Sequence, residues 1–74
     1  MKTANAIKKL EKAGFKVVSS YRGFYYAYSP SNTQVIDFFD HDDGKILCGF
    51  KVKGVKDKNG VWCENLMQAI LLAS

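Results

Sequence analysis

His41 is the single histidine in this sequence, the residue type best suited to acid–base chemistry near neutral pH. It lies in Asp40-His41-Asp42-Asp43-Gly44, where Asp40 or Asp42 would orient it as a general base. Nucleophilic catalysis also needs a nucleophile in reach of that base, and no motif supplies one. The same residue types suit a hairpin tip, where aspartates and a glycine turn the chain. The acids of this stretch are oxygen donors for a divalent cation as well. A calcium loop, however, spreads its ligands over about 12 residues and closes with a bidentate glutamate. The segment from Asp37 to Gly44 has neither that spacing nor that glutamate. Cys48 and Cys63 are 15 residues apart with no CxxC pair, whereas a zinc site needs about four ligands. They read as small buried hydrophobes, with one disulfide left open by their spacing. Gly49, Gly54 and Gly60 fit no phosphate-binding loop. The expectation is a protein that is not an enzyme and has no metal and no cofactor.

Rings and cations point to work by contact. Tyr21, Phe24, Tyr25, Tyr26 and Tyr28 crowd a span of eight residues. On a strand, Phe24, Tyr26 and Tyr28 share one face, while Tyr25 and Ala27 share the other. One set must pack under the helices; the other presents rings beside Arg22, Lys51 and Lys53. The expected contact surface is Arg22, Tyr25, Lys51 and Lys53, helped by Lys8 and Lys12. Rings flanked by cations form a stacking platform for single-stranded RNA or DNA. They equally suit a protein partner, because tyrosine supplies rigid, amphipathic contact area. Eleven basic residues against seven acidic ones give a net charge of +4, and a basic surface attracts nucleic acid or an acidic protein. Four of the seven acids, Asp37, Asp40, Asp42 and Asp43, lie together and would form an acidic tip facing a basic partner.

A chain of 74 residues makes one domain, residues 1–74, with a thin stability margin. Thr3 is placed to cap a helix over 3–13, in which Ala6, Ile7, Leu10 and Ala13 recur at helical spacing. Gly14 supplies its left-handed end and Phe15 folds back on the last turn. Strands follow over 15–20, 24–29 and 34–40, separated by Tyr21-Arg22-Gly23 and Pro30-Ser31-Asn32. Asp42-Asp43-Gly44 carries the signature of a tight hairpin leading to a fourth strand over about 45–53. A polar connection from Gly54 to Gly60 precedes a second helix over 62–73, with Trp62, Leu66, Ala69, Ile70 and Ala73 as its apolar stripe. Short turns make consecutive strands antiparallel neighbours. The fold class is therefore α+β: two layers, with an antiparallel sheet of three or four strands and the N- and C-terminal helices packed on one face. Met1-Lys2-Thr3-Ala4-Asn5-Ala6 lacks the apolar run of a signal peptide, and no stretch reaches the roughly 18 apolar residues of a membrane span. A cytoplasmic protein is expected.

The opening Ala6-Ile7-Lys8-Lys9-Leu10-Glu11-Lys12-Ala13-Gly14-Phe15-Lys16-Val17-Val18 resembles the start of HicA-type toxins, and Gly23-Phe24-Tyr25-Tyr26-Ala27-Tyr28-Ser29-Pro30 looks like the second strand of that family. The resemblance covers about the first 40 residues. It implies a helix, three strands and a helix, similar to the double-stranded-RNA-binding fold, and cleavage of RNA under the control of an antitoxin. The family reads Gly-Ser-His at the start of its second strand, with a catalytic histidine; here Gly23, Phe24 and Tyr25 stand there. A tyrosine with an ordinary pKa near 10 cannot replace a histidine base at neutral pH, so no catalytic residue carries over. The function expected from sequence is that of a small binding protein, of phage or mobile-element type, that regulates or inhibits a host protein. The alternative is an RNA-binding module acting through a basic, aromatic sheet face, and behind it a ribonuclease toxin. A protein partner is expected first, then RNA or DNA, with a homodimer open and no membrane.

Overall fold

The computed structural model describes residues 1–41, 43–46 and 49–74. The element order is α1 (Thr3–Lys12), β1 (Lys16–Ser19), β2 (Phe24–Tyr28), β3 (Gln34–Phe39), β4 (Phe50–Gly54), β5 (Gly60–Cys63) and α2 (Leu66–Ala73). The strands form one five-stranded antiparallel meander in the order β1-β2-β3-β4-β5. Both helices cover the same face: α1 packs on β1, and α2 packs on β3, β4 and β5. The two-layer α+β arrangement read from the sequence is the one observed, with five strands in the sheet. No helix among the described residues is long and apolar enough to cross a membrane.

Helix α1 ends as its sequence dictates. Gly14 takes a positive φ of 90°, the Phe15 amide donates to the Leu10 carbonyl at 2.9 Å, and the Gly14 amide donates to that of Glu11 at 3.0 Å. This is a Schellman closure, and it seats Phe15 and Leu10 in one core cluster. The start differs from expectation. Lys2, not Thr3, is the N-cap, and no side chain caps the helix. Thr3 is instead buried in the first turn, and its amide donates to the Gly44 carbonyl at 2.7 Å. With the Lys2–Lys45 bridge, that bond satisfies a free helix amide by tertiary contact, so the side-chain cap is not needed.

The β1–β2 hairpin closes through Arg22 (φ 46°) and Gly23 (φ 81°), with the Phe24 amide donating to Tyr21 at 3.1 Å. Two consecutive positive φ values make a type I′ turn, whose twist matches that of the strands it joins. At the next connection the Asn32 amide donates to Ser29 at 2.8 Å, and Asn32 itself is left-handed with φ 60°. Between β3 and β4 the Gly44 amide donates to His41 at 2.8 Å, closing the expected turn; Asp42 lies outside the described residues. The expected fourth strand over 45–53 is only partly continuous. Ile46 makes an isolated bridge to Asp40, and β4 proper begins at Phe50; Leu47 and Cys48 lie outside the described residues. Gly49 explains the late start of β4: its φ of 115° leaves the extended region, and a Cβ there would sit 2.8 Å from the Cys63 carbonyl oxygen. Gly49→Ala is therefore expected to destabilise the fold by about 1–3 kcal/mol, read as a lower urea midpoint at an unchanged slope.

The C-terminal third holds the main correction. The expected helix over 62–73 is a strand followed by a shorter helix. Gly60–Cys63 pairs with β4, through Phe50 opposite Cys63 and Lys51 opposite Trp62. Helix α2 begins only after Asn65, whose side chain accepts from the Gln68 amide at 2.9 Å. The core lies between sheet and helices. Its centre is Leu10 and Ile36, both wholly buried, with Ala6, Ala27, Phe38, Phe50, Val52, Leu66, Ala69 and Ala73 around them.

Candidate functional site

Strand alternation assigns the rings. Ala27 is wholly buried on the helix side, between Val17 and Ile36 in register. Its neighbour two residues earlier, Tyr25, must point the same way. Tyr25 stacks on Phe38 at 5.3 Å between centroids, with an interplanar angle of 11°. The expectation that Tyr25 belongs to the contact surface is thus corrected: it packs against the core beneath the helices. Ala27 decides the matter, because its small side chain lets the helix layer approach the sheet closely.

The opposite face carries no helix. Across it runs the register row Val18–Tyr26–Asp37–Lys51–Trp62, flanked by Lys16–Tyr28–Val35–Lys53–Gly60 on one side and by Phe24–Phe39 on the other. Trp62 is 61% exposed and Phe24 43% exposed. Phe24 leans on Phe39 with centroids 4.5 Å apart. Phe24, Tyr26, Asp37, Phe39, Lys51 and Trp62, with Phe38 and Gly49, line an open groove of about 460 Å³. Such a volume lies within the range of binding clefts. The Lys51 stem lies close over Gly60, where a Cβ would come within 2.9 Å of Lys51 Cε and of the Val52 carbonyl oxygen. Trp62 is the functional candidate that the sequence pattern hides, because its spacing also fits the apolar stripe of a helix over 62–73. Asn65 followed three residues later by Gln68 is the capping signal that places the helix start after it.

Asp37 sits at the middle of this face. Lys53 Nζ is 3.2 Å from its Oδ2, and both side chains are about three-quarters buried. Its other oxygen, Oδ1, is buried and has no hydrogen-bond partner among the described residues. A buried acceptor without a donor costs roughly 1–3 kcal/mol, and Asp37 is among the residues lining the groove.

The structure separates the other expected residues. Lys51 and Lys53 stand on the open face as anticipated. Arg22 lies at the end of that face, in a recess with Gly23, Phe39, Asp40 and His41, its guanidinium 5.6 Å from the Tyr21 ring centroid. Lys8 and Lys12 are exposed on α1, behind the sheet, and cannot act on the same ligand surface. The acidic tip is also divided. Asp37 is committed to Lys53 in mid-strand, Asp40 ends β3 in its bridge to Ile46, and exposed Asp43 lies 4.0 Å from Lys45; Asp42 lies outside the described residues. His41 is exposed in its turn. No group of three or more histidine, cysteine or acidic residues converges on a metal position among the described residues. Cys63 is a buried free thiol; Cys48 lies outside the described residues. No protein-family model, curated protein or solved structure matches the chain.

Proposed function

We propose that the protein is a non-catalytic binding module whose open sheet face takes a short stretch of single-stranded nucleic acid. The observation that carries this reading is one continuous surface of rings (Tyr28, Tyr26, Phe24, Phe39 and Trp62) interleaved with Lys16, Lys51 and Lys53. Strands spaced about 4.8 Å apart make the β1–β5 row roughly 19 Å wide, enough for about three stacked bases. Bases in a duplex are already stacked and cannot reach such rings, so single strands are preferred. A phosphate would be repelled by Asp37, whereas its carboxylate, which lines the groove, is matched by an exocyclic amine. The bases therefore face the rings and the phosphates run past Lys16 and Lys51.

Two results follow. Binding of a short single-stranded oligonucleotide, followed by fluorescence anisotropy, should weaken with salt along a slope of about −1.4, since Lys53 is held by Asp37 and Lys16 and Lys51 neutralise about two phosphates at about −0.7 each. Absence of binding at low ionic strength would remove the reading. Oligo(dC) should also bind more tightly than oligo(dT), about two- to tenfold, because cytosine offers Asp37 an amine where thymine offers a carbonyl; a net hydrogen bond is worth about 0.5–1.5 kcal/mol. Asp37→Ala should abolish that difference. A preference that survives the substitution would mean that Asp37 does not meet the base.

A further inference from the structure

The helix side of the molecule carries a second unpartnered surface, and it differs from the first in chemistry. Helix α2, Leu66–Ala73, contains no charged residue. Its inner face is spent on the core, yet its outer face is still apolar: Met67 is 66% exposed and Leu71, one turn on, is 71% exposed. A helix that meets water normally turns polar residues outward. Between α1 and α2 runs a groove of about 610 Å³ with Ala13, Leu66, Met67 and Ile70 among its walls, and Lys9 and Lys12 on its α1 side. Neither lysine has an ion-pair partner among the described residues.

We infer that this groove is a docking site for an amphipathic helix of a partner protein, one whose apolar stripe is flanked by glutamate or aspartate. Three features select that occupant. The groove lies in the helix layer and offers no free strand edge, so an extended peptide would find no backbone partners there. An α-helix satisfies its own backbone and needs only side-chain contact. The flanking charges are positive, so an acidic flank is attracted and a basic one repelled. A second copy of this chain presenting the same patch would bring no acidic side chain to Lys9 and Lys12, since none lines the groove. Met67 suits the role, being flexible enough to follow the contour of an incoming side chain. The inference does not depend on nucleic-acid binding, since the two surfaces lie on opposite sides of the sheet.

The test uses the full chain and two synthetic 18-residue amphipathic peptides with the same leucine stripe, one flanked by glutamate and the other by lysine, titrated by calorimetry. The acidic peptide should bind and the basic one should not. The paired substitutions Met67→Gln and Leu71→Gln, both on exposed positions, should weaken the acidic peptide at least tenfold while leaving the circular dichroism spectrum and oligonucleotide affinity unchanged. Lys9→Glu with Lys12→Glu should reverse the peptide preference. Equal binding of both peptides, or of neither, would overturn the inference. So would sedimentation showing a dimer that the Met67 and Leu71 changes dissolve, or capture by phosphatidylserine vesicles without capture of the acidic peptide.

Discussion

Replacing Ile36 with alanine should leave the chain largely unfolded at 25 °C. Ile36 is wholly buried at the centre of the sheet, in register with Ala27 on one side and Val52 on the other. It faces the helix layer, where Leu10, Phe38 and Ala69 belong to the same core cluster. Removing a buried isoleucine to alanine costs about 2–5 kcal/mol, while a domain of this size holds only about 3–5 kcal/mol in total. The loss therefore consumes most or all of the margin. Leu71→Ala, at an exposed position on α2, should change stability by less than about 0.5 kcal/mol. Urea unfolding followed by far-ultraviolet circular dichroism compares the two. An Ile36→Ala protein within about 1 kcal/mol of the parent would mean that the core is not centred where the structure puts it.

Trp62→Ala should spare the fold and remove most of the affinity for single strands. The indole is mostly exposed on β5, so its loss creates no cavity between sheet and helices. Stacking on an aromatic ring is worth about 1–3 kcal/mol per base, or roughly 5- to 150-fold in affinity. Lys51→Glu, at the register position opposite Trp62, should weaken binding further by reversing a charge beside the same groove. Tyr25→Phe supplies the control. Tyr25 stacks on Phe38 beneath the helices, and the altered hydroxyl should leave nucleic-acid affinity unchanged. Parent-like affinity in the Trp62→Ala protein would move any binding away from the open face.

Much of this architecture is legible in the residues, and where it is not the cause is physical. Helix α1 and its closure follow from Leu10, Gly14 and Phe15, because a glycine after an amphipathic run has few other roles. The aromatic strand is equally plain. Its orientation is less so: Phe24, Tyr26 and Tyr28 compete with Tyr25 for the interior, and only the small side chain of Ala27 settles which face the helices approach. The β5–α2 boundary is hidden for a different reason. Val61, Trp62, Leu66, Ala69, Ile70 and Ala73 are apolar at spacings that a helix from residue 62 also satisfies, and four residues are too few for a strand period to assert itself. Pairing with β4 overrides the local pattern. That one boundary carries Trp62 from an expected helix face to the open sheet, so strand alternation reveals Lys51 and Lys53 on the open face but not the exposed ring opposite Lys51. Lys8 and Lys12 lie in the helix layer on α1, which charge alone does not reveal.

Trp62 is the sole tryptophan in the chain, so its fluorescence reports on the proposed surface without interference from another indole. Titrating the protein with a short single-stranded oligonucleotide at low ionic strength should quench that emission saturably, in step with the anisotropy change, and added salt should restore it. Emission that stays constant while the oligonucleotide binds, or that changes identically with a duplex of the same length, would contradict a ring-stacking sheet face.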